Sequence, residues 1–247
     1  MSRPQVANIV AFPSTHWSLV GRAGEVSPER RREALGILLR RYLSALRAHL
    51  VVAKRISPDA ADDLIQGFVA DKIIEQNLLA QAERGRGRFR SFLLTALDHY
   101  AVGRFRHESA SKRSPATPMR DIANQLELSA DSAEPSDVFT LVWARQVIDE
   151  AKRRMEAHCQ AEDRPDLWLI FTERLLRPAA DATAPVSHKR IAGDLKLESS
   201  KEASNLLITA KRLFARNLRQ VVGEYARDQR EIDEEIDDLM RILSQHP

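Results

Sequence analysis

The chain has 247 residues, 38 Lys and Arg against 35 Asp and Glu for a net charge of +3, and a hydrophobic fraction of 43%. That is enough apolar material for helical cores, while nine glycines and 6% aromatic residues argue against an all-β sandwich. A single Cys159 excludes an internal disulfide. No run reaches the roughly 20 apolar residues of a membrane span, and the first residues lack a charged start followed by a long apolar core, so a cytoplasmic chain without membrane association is expected.

Residues 1–26 form a leader ahead of the first helix signal. Ser27-Pro28-Glu29 sets an N-cap hydroxyl before a proline at the first helical position. Leu35, Leu38, Leu39, Tyr42, Leu46 and Leu50 then recur at helical spacing, which predicts an amphipathic helix through Val52. Ser57-Pro58-Asp59 repeats the signal, and Leu64, Phe68 and Ile73 lie opposite Asp62, Asp63 and Gln66, so a helix is expected from Pro58 to about Gln76. Another is expected from Phe89 to about His107, with Phe92, Leu93, Ala96, Leu97 and Tyr100 at helical spacing. Together these make one helical domain over residues 27–107.

Between residues 108 and 136, Ser, Thr and Pro accumulate as in a linker, interrupted by a short helix around Ile122–Leu128. Apolar spacing resumes at Asp137 with Phe139, Val142, Trp143, Val147 and Met155, opening a second helical domain over residues 137–225. Its end reads as a helix-turn-helix: a short helix His188–Leu195, a turn at Lys196-Leu197-Glu198, and a helix from about Ser200 to Val222 started by a Ser199/Glu202 capping box. Ile191, Leu195, Leu197, Ala203, Leu207, Ala210 and Phe214 can pack together, which leaves Lys201, Ser204, Asn205, Ile208, Thr209 and Arg212 on the opposite face. The early residues Lys201, Ser204 and Asn205 suit base edges, and Arg212, Arg216 and Arg219 suit phosphates. Residues 226–247 form an acidic amphipathic extension with Ile232, Ile236, Leu239, Met240 and Leu243 on one face. It is expected to cap its own domain; the alternative is that it covers a basic face or binds a regulator.

Charge is distributed unevenly. Arg84, Arg86, Arg88 and Arg90 alternate with Gly85, Gly87 and Phe89, and Arg104, Arg106, Lys112 and Arg113 follow. So many like charges on and around one helix repel unless an anionic partner neutralises them, and nucleic acid is the natural one. The spacing of Phe89, Phe92 and Tyr100 suits a buried face better than a base-stacking platform. His158-Cys159 has no second pair at metal-ligand spacing, so no metal is expected; nor does any glycine-rich phosphate loop or nucleophile elbow point to an enzyme or a cofactor.

The order of these segments resembles the promoter-opening domain of bacterial RNA polymerase sigma factors, in particular the small extracytoplasmic-function type. The residues that carry it are Asp62-Asp63-Leu64-Ile65-Gln66-Gly67-Phe68 and Arg88-Phe89-Arg90-Ser91-Phe92-Leu93-Leu94-Thr95-Ala96-Leu97, and the leader Phe12-Pro13-Ser14-Thr15-His16-Trp17-Ser18-Leu19-Val20 is similar to one subgroup. The resemblance implies a helix that docks on the clamp coiled coil of the polymerase largest subunit through Asp62, Asp63, Gln66 and Phe68, with Gly67 where the family often has an acidic residue. It implies that the arginine segment, with Arg86, Arg88, Arg90, Arg104 and Arg106, captures unpaired bases of the downstream (−10) promoter element. The second domain would read the upstream (−35) element, with Lys196 in a turn position where the family often has glycine. The expected protein is thus an all-α, two-domain sigma factor that binds core RNA polymerase and promoter DNA, opens the DNA for transcription initiation, and answers to an anti-sigma or other protein regulator. The alternatives are a stand-alone helix-turn-helix regulator that binds duplex DNA as a dimer without polymerase, and a helical adaptor that binds only protein.

Overall fold

The computed structural model describes residues 28–81, 88–111, 136–226 and 228–245. Its regular elements are helices, with no strand among the described residues. The leader motif, Arg86 with the glycine-arginine loop, Lys112, Arg113 and the expected helix at 122–128 lie outside them.

Helix α1 (Pro28–Ala48) widens into a π-helical turn at His49–Ala53. The chain then reverses through Arg55, at φ 56°, into α2 (Pro58–Gly67). Ser57 caps α2 as its sequence predicts, its hydroxyl accepting the Ala60 amide at 3.4 Å. A π-helical stretch at Phe68–Glu75 continues α2 and explains the apolar spacing: Phe68 and Ile73, five residues apart, return to one face because the turn there is wider, and both are buried. Helix α3 (Phe89–Ser111) takes in the first residues of the expected linker.

Helix α4 (Asp137–Ala161) starts at the Ser136 cap, and α5 (Pro165–Phe171) leads through a π turn into the short α6 (Arg177–Asp181). Helices α7 (His188–Asp194) and α8 (Ser200–Gly223) form a helix pair joined by a short turn, and α9 (Gln229–Gln245) ends the described chain.

The apolar core does not part at residues 108–136. One continuous cluster takes in α1, α2, α3, the first half of α4, the end of α8, Tyr225 and α9. A second takes in Met155 and Cys159 from the end of α4, with α5, α7 and the first half of α8. Helices α4 and α8 thread both clusters because they are long, with 25 and 24 residues, and a helix rises about 1.5 Å per residue. At the junction Tyr42 meets Phe89 edge-on at 5.5 Å and Tyr225 at 6.3 Å, and Tyr225 meets Trp143 at 6.3 Å. Glu224 pairs with Arg41 of α1 at 2.8 Å and with Arg154 of α4 at 2.7 Å.

A buried polar chain fixes the same junction. The His49 ring bridges Ser136 Oγ at 2.8 Å and Asp98 Oδ1 at 3.0 Å, and Lys54 Nζ reaches Asp98 Oδ2 at 3.0 Å. The Ser136 oxygen also accepts the Phe139 amide, so the N-cap of α4 sits at one end of this polar chain. The serine–histidine–aspartate order is therefore a tie between α1, α3 and the start of α4.

Candidate nucleic-acid interface

The helix pair α7–α8 presents its expected polar face. Ser187 caps α7 by accepting the Arg190 amide at 3.3 Å. The end of α7 closes with Leu197 N–H to Ala192 O at 2.8 Å and Lys196 N–H to Gly193 O at 3.2 Å, and Lys196 takes the left-handed conformation at φ 54°. This is the turn position at which the resemblance puts glycine. Ser199 Oγ accepts the Glu202 amide at 3.2 Å. The other half of the expected capping box is displaced by one residue: Glu202 Oε2 accepts the Glu198 amide at 2.9 Å, not that of Ser199.

Along α8, Ala203, Leu207, Ala210 and Leu213 are buried, with Leu195, Leu197 and Phe214 partly buried against the same cluster. Lys201, Asn205, Ile208, Thr209, Arg212 and Arg216 are exposed. Lys201, Arg212 and Arg216 have no carboxylate partner among the described residues. Ser204 is half-buried, and its hydroxyl donates to Ser200 O at 3.1 Å, which reduces its reach outward. Arg212 and Arg216 line a cleft of about 610 Å³ whose far wall is His158, Glu162, Arg164 and Leu167. Arg164 and His158 were not among the expected contacts, because the turn that brings the end of α4 against α8 leaves no periodic signal.

The acidic patch on α2 divides. Asp62, Asp63 and Gln66 are exposed, and Asp62 receives Arg47 Nε at 2.6 Å, which holds its carboxyl below the ordinary range. Phe68 is a correction to the expected docking set: it is fully buried against Tyr100, at 5.8 Å between rings, and supports the patch from below. Gly67 is required there, because a Cβ would collide with the Tyr100 hydroxyl. That hydroxyl donates to Asp71 at 2.7 Å, and burial together with the Asp71 carboxylate pushes Tyr100 up to about 12.

The arginine segment is the largest departure from expectation. Arg90 does not face solvent as an open DNA surface, and Arg88, only partly exposed, is engaged by the same carboxylates. Arg90 is buried: its Nη1 donates to Glu235 at 2.8 Å, its Nη2 to Asp238 at 2.7 Å, and its guanidinium lies 4.4 Å from the centre of the Trp143 ring. Arg88 reaches Glu235 at 3.2 Å and also pairs with Asp238. Burial raises the Glu235 carboxyl above its ordinary range against the opposing pull of Arg90 and Arg88. Arg104 and Arg106 are exposed on α3. Phe89 and Tyr100 are buried as expected, whereas half-buried Phe92 lines an open groove of about 930 Å³ with Lys72, His99, Arg104 and His107.

The partner of the arginines is α9. Ile232, Leu239 and Ile242 are buried and Ile236 and Leu243 partly so, but Met240, expected on the same stripe, is 60% exposed. Glu231, Glu235 and Asp238 are buried, so the packed face of this helix carries carboxylates as well as apolar side chains. Among the described residues no group of three or more His, Cys, Asp or Glu could hold a metal ion, and no helix is long and apolar enough to cross a membrane.

Comparison with family models, with curated proteins and with solved structures finds no match to this chain.

Proposed function

We propose that this chain is a sigma factor of the extracytoplasmic-function type, which binds core RNA polymerase, recognises promoter DNA and promotes its opening. The observation that carries the reading is the α7–α8 pair, whose outer face offers Lys201, Asn205, Ile208, Thr209, Arg212 and Arg216 without a covering element among the described residues. Amide and ammonium groups at the start of such a helix suit base edges, an exposed Ile suits a thymine methyl, and arginines further along suit phosphates. Exposed Asp62, Asp63 and Gln66 fit an acidic contact with the polymerase, on a helix braced from beneath by Phe68 and Tyr100. Nothing in this reading asks the chain for chemistry, since the polymerase makes the phosphodiester bond and this protein would supply specificity.

The test is reconstituted transcription with core enzyme on genomic promoter fragments. Core-dependent initiation at discrete start sites is the expected result. Tight duplex binding by the chain alone, with no transcription when core is added, would instead favour the stand-alone regulator.

A further inference from the structure

The C-terminal helix α9 packs on Arg88 and Arg90, in the arginine segment that the sequence resemblance assigns to opened DNA. We infer that α9 is an intramolecular clasp: Glu235 and Asp238 take the place of nucleic-acid phosphates on Arg88 and Arg90, so single-stranded DNA and α9 compete for one surface. The inference rests on the sigma-factor reading only in assigning this segment to single strands.

Three features support it. The carboxylates are placed as a ligand would be: Glu235 and Asp238, three residues apart on one face of α9, each contact both arginines, and Arg90 donates one bond from each guanidinium terminus, to Glu235 from Nη1 and to Asp238 from Nη2. The surface beneath is of the kind that single strands use, because the Arg90 guanidinium lies 4.4 Å from the centre of the Trp143 ring, and a guanidinium over an indole pairs an aromatic face with phosphate donors. The clasp is also tethered closely. Helix α8 ends at Gly223 and α9 starts at Gln229, so a displaced α9 stays at high effective concentration and recloses when the strand leaves. Outside the arginine contact, the contacts of α9 include the packing of its apolar stripe and Arg219–Asp233 at 2.7 Å, an exposed pair that salt screens.

The experiment compares the wild-type full chain with the double variant Glu235→Gln, Asp238→Asn, which keeps shape and removes both charges. Binding of a fluorescent single-stranded oligonucleotide is measured by anisotropy across a salt series, with circular dichroism as the fold control. The variant should bind at least tenfold more tightly. Its salt slope should steepen by about 1.4, two additional phosphates at about 0.7 each, and adding Arg88→Ala should remove part of the gain. A second measurement needs no substitution: saturating oligonucleotide should speed amide hydrogen exchange across residues 229–245 of the wild type. Equal affinity of the two folded proteins, or an α9 that stays protected under saturating oligonucleotide, would overturn the clasp. Where the variant fails to fold, the wild-type exchange experiment decides alone. Failure of the sigma-factor reading shows separately, as absence of core-dependent transcription by wild type and variant alike.

Discussion

Arg90 and Glu235, 145 residues apart in sequence, meet in a buried ion pair at 2.8 Å. Each would be costly to bury alone, and the pair is completed by Asp238 and by the Trp143 ring. An arginine placed by sequence on a DNA-contacting segment is thereby a structural member of the core that joins α3, α4 and α9.

Arg90→Ala is accordingly expected to unfold the chain before it reports on DNA. It leaves Glu235 and Asp238 without their buried partner, a loss of about 3–5 kcal/mol, and Arg90→Lys should recover only part because one ammonium cannot reproduce the two-pronged contact. Denaturant unfolding of the two variants checks this. Half-exposed Arg88 is the better probe of promoter opening, and Arg88→Ala should slow permanganate-detected melting while a premelted template restores activity.

Reversing charge at Asp62 and Asp63 should weaken binding to core polymerase with little change in melting temperature. Both side chains are exposed, and the Asp62–Arg47 pair is in solvent. A pull-down titration of the double Lys variant beside a thermal melt reads the two effects separately. Phe68→Ala, by contrast, should lower stability by about 3–5 kcal/mol, as expected for a buried aromatic.

Asn205→Ala and Lys201→Ala should alter upstream-element preference, each base contact being worth about 1–3 kcal/mol of discrimination. Ser204→Ala should do little, since that hydroxyl already serves Ser200 O. Arg216→Ala should weaken all sequences alike and lower the salt slope by about one unit. Promoter-library selection with each variant provides the comparison.

Lys196→Gly should stabilise the protein by about 0.5–1 kcal/mol. Lys196 is exposed and held at φ 54°, where glycine avoids a steric penalty that a side chain incurs. A rise in the denaturant midpoint at constant slope is the expected result.

The Cys159 thiol should react with a disulfide reagent only as fast as the chain opens. It is buried beneath α5, and burial pushes its pKa up, so thiolate is scarce at neutral pH. Equal labelling rates for the native and denatured protein would contradict this placement.

Much of the fold was legible because local chemistry marks helices clearly. Serine caps at Ser57 and Ser199 mark where α2 and α8 start, apolar spacing in α1, α3 and α8 tells which face is buried, and the exposed polar face of α8 follows from the same period. The gap of five between Phe68 and Ile73 reads in the sequence as ordinary helical spacing, and only the structure shows that a π-helical stretch brings the two together. What periodicity does not carry is the identity of a partner. A carboxylate on a helix reads as solvated whether or not an arginine from 145 residues away lies against it, because hydropathy records the cost of burying a charge but not the counter-charge that offsets it. So the sequence by itself determined most of the long helices and the basic and acidic segments, and misplaced Met240 on the buried stripe of α9. Tertiary structure alone decided that α4 and α8 thread two cores and that Glu235 and Asp238 close over Arg88 and Arg90, while the burial of Phe68 sided with the helical period against the docking role that the resemblance implied.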